Sequence, residues 1–177
     1  MVYEYYDGYL MKYDCRNGIA TYVNVQMPIE EIRARSSVWF AVKEGWAYDM
    51  VNRFWFKNGI RFRYIYRSIH EIFGLGVYAS LDVKDKVVID VGAFVGDSAI
   101  YFALKGATRV IAVEPHPGAF AEMLENIKLN KIENITIPVN AGLASKSGKV
   151  CLEKSFDKSD TLVMYHGLGD CINAIWR

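Results

Sequence analysis

Residues 87–98 read Val87-Val88-Ile89-Asp90-Val91-Gly92-Ala93-Phe94-Val95-Gly96-Asp97-Ser98, and their reading decides the fold. The first five form a short apolar run with β-branched bias, which predicts a strand covered on both faces. Two glycines then predict a turn, and a helix follows over about 98–105, with Asp97 or Ser98 able to cap it and Gly106 able to close it. Working outward, residues 109–113 predict a second strand of the same kind. Pro117 opens a helix in which Phe120, Met123, Leu124 and Ile127 recur at helical spacing, with Asn130 as its stop. Residues 135–139 predict a third strand. Strand, helix, strand, helix, strand at this spacing implies right-handed crossovers and a parallel sheet.

In such sheets ligands bind beyond the carboxyl ends of the strands, where the turn after the first strand presents backbone N–H groups and a helix N-terminus. Glu114 ends the second strand about 20 residues after the glycine turn, where a carboxylate accepts hydrogen bonds from ribose hydroxyls. A dinucleotide turn needs glycine in the middle of its fingerprint so that the backbone can approach the pyrophosphate, and Phe94 stands there. The lysine and hydroxyl of a triphosphate-binding loop are also missing. S-adenosylmethionine, a nucleoside without pyrophosphate, fits better, and nicotinamide binding is the minority reading.

The rest of the chain is less specific. Its 177 residues, 52% hydrophobic, suffice for a domain with its own core. The formal charge of +1 neither recruits nucleic acid nor seats the chain on a membrane, so a small-molecule or glycan acceptor is expected, nucleic acid is disfavoured and no membrane is engaged. No apolar run approaches the roughly 18 residues that span a bilayer, which predicts a cytoplasmic protein. Cys15, Cys151 and Cys171 fit neither a disulfide framework nor a metal site and read as free buried thiols; no metal is expected.

Asn17-Gly18 predicts a hairpin of residues 10–15 and 19–25. Pro28, Glu30 and Glu31 predict a helix start, followed by helix over 32–56 with a break near Gly45. The aromatics Trp39, Phe40, Trp46, Phe54, Trp55 and Phe56 read as packing over the core or between subunits, with a substrate-facing patch as the alternative. Arg53, Lys57, Arg61, Arg63 and Arg67 could form a stripe for phosphates, but such runs are more often solvated faces. Residues 60–66 alternate apolar with basic, as a half-buried strand does. The domain reading is an N-terminal hairpin and helix region over 1–80, α+β in character, and a cofactor-binding unit over 81–177.

From about 59 to 152 the chain resembles the FkbM-type methyltransferases. The resemblance is carried by Ile69-His70-Glu71-Ile72-Phe73, Val77-Tyr78, the turn at 88–98, Ala112-Val113-Glu114-Pro115-His116-Pro117, Glu125-Asn126-Ile127-Lys128-Leu129-Asn130 and Val139-Asn140-Ala141-Gly142-Leu143-Ala144. It implies a Rossmann-like class I methyltransferase fold, a parallel sheet with helices on both faces. It further implies methyl transfer from S-adenosylmethionine to a sugar or small-molecule hydroxyl. By the same resemblance Asp90 and Gly92 would line the methionine part, Glu114 the ribose, and Asn140 with Ala141 the adenine edge; Ala93, Phe94, Gly96, Pro115 and His116 complete the expected cofactor-binding set.

No general base is nominated. His116 stands beside the ribose position, although a histidine in a capping turn is more often structural; His70 and His166 have weaker claims. The resemblance stops early: the fourth strand, with an Asp-x-Glu-Gly-like sequence, and three further strands do not occur before Arg177. The fold is therefore expected to be incomplete at the C-terminus, with the first parallel strand at an open edge through which a homodimer could form. Two alternatives stand beside the leading reading. One is a transfer RNA methyltransferase, since Asn126-Ile127-Lys128-Leu129-Asn130 after a Glu-Pro-x-Pro turn also occurs in some tRNA-modifying enzymes; the other is a non-catalytic half-domain that only binds nucleotide or a partner.

Overall fold

The computed structural model describes residues 1–6, 8–34, 37–143, 148–153, 163–164 and 169–175. These fall in two compact units, Met1–Ala79 and Ser80–Arg177.

The first unit opens with an antiparallel meander of β1 (Val2–Tyr6), β2 (Tyr9–Asp14), β3 (Ile19–Tyr22) and β4 (Val25–Pro28). Met11, Ala20, Tyr22 and Met27 are its buried side chains. The expected hairpin is present, but Asn17-Gly18 is not a two-residue turn: Asp14 pairs with Ile19 across a four-residue connection. Asp14 Oδ1 accepts the N–H groups of Arg16 and Asn17, each at 3.2 Å, and only Gly18 of the pair takes a positive φ, at +67°. The aspartate side chain thus organises the turn that the dipeptide was expected to form. Cys15 lies in this connection and is exposed, which corrects the reading of it as a buried thiol.

Helices α1 (Ile29–Ala34) and α2 (Val38–Lys43) follow, with Glu30 and Glu31 in the first turn of α1. The helix expected to resume after Gly45 does not form. Instead β5 (Ala47–Asp49), β6 (Phe54–Lys57) and β7 (Ile60–Phe62) make an antiparallel sheet. Two turns enforce this. Asp49 Oδ1 accepts from Val51 and Asn52 N–H, each at 2.9 Å. Asn58 and Gly59, both with positive φ at +48° and +85°, form the two-residue turn that suits strand twist. Trp46, Trp55 and Phe62 are essentially fully buried; Trp46 and Trp55 were expected in the core, whereas Phe56, read the same way, is 40% exposed. The Trp55 indole N–H donates to Glu31 Oε2 at 3.1 Å, so the buried ring keeps a polar partner. α3 (Arg67–Ile69) runs into a π-helical turn, His70–Gly74, which ends this unit's regular structure.

The second unit holds β8 (Val87–Val91), α4 (Asp97–Leu104), β9 (Arg109–Val113), α5 (Pro117–Leu129) and β10 (Thr136–Val139). Its three strands are parallel in the order β10-β9-β8, an α/β Rossmann-like arrangement. α4 packs on β8 and β9 and against α5, which lies on β10. Val95, Ala99, Ile100, Val110, Ala112 and Met123 form the core between them, all essentially without exposure. β8 stands at the sheet edge, and Val87, Ile89 and Val91 are exposed on the side away from buried Asp90. The run read as covered on both faces therefore alternates. Gly106, at φ +90°, closes α4 by donating to the Ala103 carbonyl at 3.1 Å, as expected.

Beyond β10, β11 (Ala141–Leu143), β12 (Gly148–Glu153), β13 (Val163–Met164) and β14 (Gly169–Ile175) pair in the order β11-β14-β12-β13. Two of these strands, β13 and β14, lie in the last 23 residues. His166 lies outside the described residues. Among the described residues no helix is long and apolar enough to cross a membrane.

Candidate functional site at the carboxyl ends of the parallel strands

The site is built from the ends of β8, β9 and β10. Gly92 and Gly96 take φ of +78° and +83°, and Phe94 between them takes +48°, so the chain doubles back tightly between β8 and α4. A left-handed phenylalanine costs about 1–2 kcal/mol. It persists here because the Phe94 N–H donates to Glu114 Oε2 at 2.8 Å. The other carboxylate oxygen, Oε1, accepts the His116 N–H at 2.6 Å. One buried carboxylate therefore ties the turn after β8 to the turn after β9. Gly92 and Ala93 also donate to the Val113 carbonyl at 2.9 and 3.1 Å.

Asp90, buried at the end of β8, accepts the Ser98 hydroxyl at 2.7 Å. Ser98 is thereby committed to the strand and does not cap α4; Asp97 Oδ1 accepts the neighbouring Ser98 N–H. The residue before the helix is Gly96, which has no side chain with which to cap. The expected cap is thus replaced by a left-handed glycine.

His116 precedes α5, and its Nδ1 accepts the Ala119 N–H at 3.2 Å. The ring serves as the helix cap, in line with the structural reading of a histidine at such a turn. Pro115 lies between Glu114 and this cap. The Asn140 amide donates to the carbonyls of Glu114 and Pro115 at 2.9 and 3.3 Å, bracing the turn after β9 from the end of β10. Ala141 is buried at the start of β11. All ten residues expected at the site lie at the ends of these strands or in the turns that leave them.

Sequence reasoning missed Asn126. It is fully buried in α5, and its amide donates to the Val95 carbonyl inside the glycine turn at 2.9 Å. A polar residue on the apolar face of a helix was the available signal. Replacing Asn126 with alanine leaves that carbonyl without its donor, and a loss of about 1–3 kcal/mol is expected in urea unfolding. An unchanged midpoint would remove Asn126 from the support of the turn.

Burial pushes the Glu114 carboxyl up from its ordinary value; the His116 and Phe94 N–H groups oppose that, and the nearby charges of Asp90 and Asp97 add to it. Burial likewise pushes the Asp90 carboxyl up, against the Ser98 hydroxyl. Both groups hold their protons more tightly in the folded chain than in the unfolded one. Their effect on stability is most favourable below the ordinary carboxylate range and declines as pH rises to the raised folded values. A ligand that needs Glu114 ionised shows the opposite trend, weakening as pH falls through the raised value. Affinity for S-adenosylhomocysteine is therefore expected to fall on acidification before ordinary surface carboxylates titrate, while calorimetric melting shows no parallel loss. Affinity flat down to the ordinary carboxylate range would contradict this.

The arrangement fits the nucleoside cofactor expected from the sequence. A Cβ placed on Gly92 would meet no atom within 4 Å, so space lies open over the turn. Each Glu114 oxygen accepts one N–H and retains a second lone pair for a ribose hydroxyl.

Comparison with known proteins places this geometry. Residues 60–169, more than half of the chain, match the family model described as the TRM5/TYW2 methyltransferase domain. A curated relative, the tRNA(Phe) (4-demethylwyosine(37)-C(7)) aminocarboxypropyltransferase of Pyrococcus horikoshii, is 40% identical over 56 residues, covering 32% of this chain and 20% of the relative. Protein 158B of Sulfolobus islandicus rod-shaped virus 1 is 51% identical over 37 residues, covering 21% of this chain and 23% of that one. Among solved structures, Trm5b of Pyrococcus abyssi is 31% identical, covering 48% of this chain and 26% of that one, with a TM-score of 0.40. The chain thus spans about a fifth of the length of the curated relatives it matches.

Two expectations are corrected. The family that matches is the TRM5/TYW2 methyltransferase domain and not the FkbM type. The reading that disfavoured nucleic acid in favour of a small-molecule or glycan acceptor is overturned by the same match and by a relative whose name specifies tRNA(Phe). It rested on net charge, which averages over the chain and hides local clusters.

Proposed function

Since the chain belongs to the TRM5/TYW2 methyltransferase domain family, whose cofactor is S-adenosylmethionine, we propose that it transfers a methyl group from that cofactor to a nucleotide of transfer RNA. The observation that carries the reading is the family match over residues 60–169, a span containing the whole Asp90 to Ala141 site. When bound, the cofactor supplies a sulfonium, an electrophile activated before any proton moves. The work left to the protein is binding and alignment. Glu114 would accept the ribose hydroxyls, the turn at 92–96 would receive the methionine part over Gly92, and Asp90 would face its charged end. Asn140 and His116 would act as positioning residues, since both are committed to the backbone on either side of Glu114. Alignment of this kind supplies much of the rate of a group transfer.

A second reading is favoured by the Pyrococcus horikoshii relative, named for aminocarboxypropyl transfer to tRNA(Phe). The two differ in which carbon leaves sulfur. Transfer RNA would be incubated with the full chain and cofactor labelled either in the methyl group or in the carboxyl carbon. Methyl label in the RNA supports the main reading and carboxyl label the second. Neither label entering any transfer RNA, with cofactor binding intact, would refute both.

A further inference from the structure

We propose that His116 donates its Nε2–H to a ribose hydroxyl oxygen of the bound cofactor, closing a clamp in which Glu114 accepts from the ribose and His116 donates to it. The inference rests on the cofactor reading of the proposed function and adds the donor half of the ribose site.

The helix cap fixes where the ring carries its proton. A backbone N–H can only donate, so His116 Nδ1, which receives the Ala119 N–H at 3.2 Å, bears no proton. A neutral imidazole has a proton on one of its two nitrogens, and here that nitrogen is Nε2. The cap therefore uses only one side of the ring. Among the described residues Nε2 has no hydrogen-bond partner, and the half-buried ring does not seal it from solvent. The same ring is tied to the carboxylate through its own backbone, because the His116 N–H donates to Glu114 Oε1 at 2.6 Å. This tautomer also argues against a base at His116: Nε2 already holds a proton, and Nδ1 is engaged in the cap.

The ribose calls for a donor of this kind. An ionised carboxylate only accepts, so a hydroxyl that donates to Glu114 keeps its own lone pairs, and an acceptor left unmet in a partly dry site lowers affinity. The other donors around Glu114 are committed. The Phe94 N–H goes to Glu114 Oε2, and the N–H groups of Gly92 and Ala93 go to the Val113 carbonyl. The Asn140 amide serves the carbonyls of Glu114 and Pro115, and the Ser98 hydroxyl serves Asp90. Pro115 has no N–H to offer. That leaves the Nε2–H of His116 beside the carboxylate.

The test is calorimetric titration of the full chain with S-adenosylhomocysteine and with its 2′-deoxy and 3′-deoxy analogues, with urea unfolding as the check on α5. An asparagine places its side-chain oxygen where Nδ1 stands and has no atom at the place of Nε2; a glutamine places its amide nitrogen near Nε2 and nothing at Nδ1. His116→Asn is accordingly expected to keep the cap and the unfolding midpoint while binding S-adenosylhomocysteine about tenfold more weakly, the worth of one hydrogen bond. His116→Gln is expected to lower the midpoint and to retain most of the affinity. Against the deoxy analogue that lacks the clamped hydroxyl, the wild type and His116→Asn should bind alike. An Asn variant that binds S-adenosylhomocysteine as tightly as the wild type, or one that loses the same factor against all three ligands, would overturn the clamp and leave the cofactor reading standing. A folded wild-type chain that binds none of the three would overturn both.

Discussion

Replacing Glu114 with alanine is expected to weaken S-adenosylhomocysteine binding by about 100-fold or more. Glu114 does two things at once. In the folded chain each of its oxygens accepts one backbone N–H, from Phe94 and from His116, so its removal orphans a donor in each of the two turns that frame the site. An unpaired buried donor costs about 1–3 kcal/mol, and the left-handed Phe94 loses the bond that holds it. The same carboxylate would then no longer receive the ribose hydroxyls, and hydrogen bonds to a charged acceptor are worth about 1.5–3 kcal/mol. At about 1.4 kcal/mol per factor of ten, two such bonds at the low end of their range reach two decades, while the orphaned donors lower the stability of the fold. Calorimetric titration of the variant reads the effect directly. Glu114→Gln separates the two roles: its amide can accept only one of the two N–H groups but stays neutral at every pH, so its affinity should be reduced and pH-independent. An alanine variant binding within a few-fold of wild type would show that the nucleoside does not rest on this carboxylate.

The second large effect concerns the two glycines of the turn, which look alike in sequence and differ in surroundings. Gly92→Ala and Gly96→Ala both put a side chain at a left-handed position, at φ of +78° and +83°, costing about 1–2 kcal/mol each. At Gly92 the new Cβ would meet nothing within 4 Å, but at Gly96 it would lie 2.9 Å from Met123 Cγ, whose side chain is fully buried. Overpacking of a core contact adds about 1–3 kcal/mol. Gly96→Ala is accordingly expected to lose about 2–5 kcal/mol in urea or thermal unfolding, with cofactor affinity falling because α4 shifts. Gly92→Ala should lose no more than about 2 kcal/mol of stability, yet block the space over the turn and abolish measurable binding. The contrast is the informative quantity. Equal stability losses would mean that Met123 yields freely, and unaffected binding in Gly92→Ala would move the cofactor away from the turn.

These predictions concern the part of the chain whose sequence was most legible. Strands at 109–113 and the helix from Pro117 were readable because buried parallel strands are short apolar runs and the helix carries its period and its proline. The turn after β8 and the strand-ending Glu114 were readable for a related reason: glycines at positive φ and a carboxylate at a strand end are local devices whose spacing survives in the sequence. The family was not: the motifs that carried the resemblance pointed to the FkbM type, whereas residues 60–169 match the TRM5/TYW2 methyltransferase domain.

What the sequence determined by itself is therefore the β-α-β-α-β order and the positions of Gly92, Gly96 and Glu114. Tertiary structure decided the rest, and the two Asn-Gly pairs show why. Asn58-Gly59 closes a two-residue turn between β6 and β7, whereas Asn17-Gly18 does not, because Asp14 accepts the backbone N–H groups of Arg16 and Asn17. The segment after Gly45 became strand although its composition allowed helix, since Trp46, Trp55 and Phe62 could be buried together only when alternation sent them to one side. The same alternation turned Phe56 outward beside Arg61. Asn126 reached the Val95 carbonyl across 31 residues of chain. Local pattern records the period of an element; which face is covered, and which polar group finds which partner, depends on contacts between residues far apart in sequence, and only the packed chain specifies those.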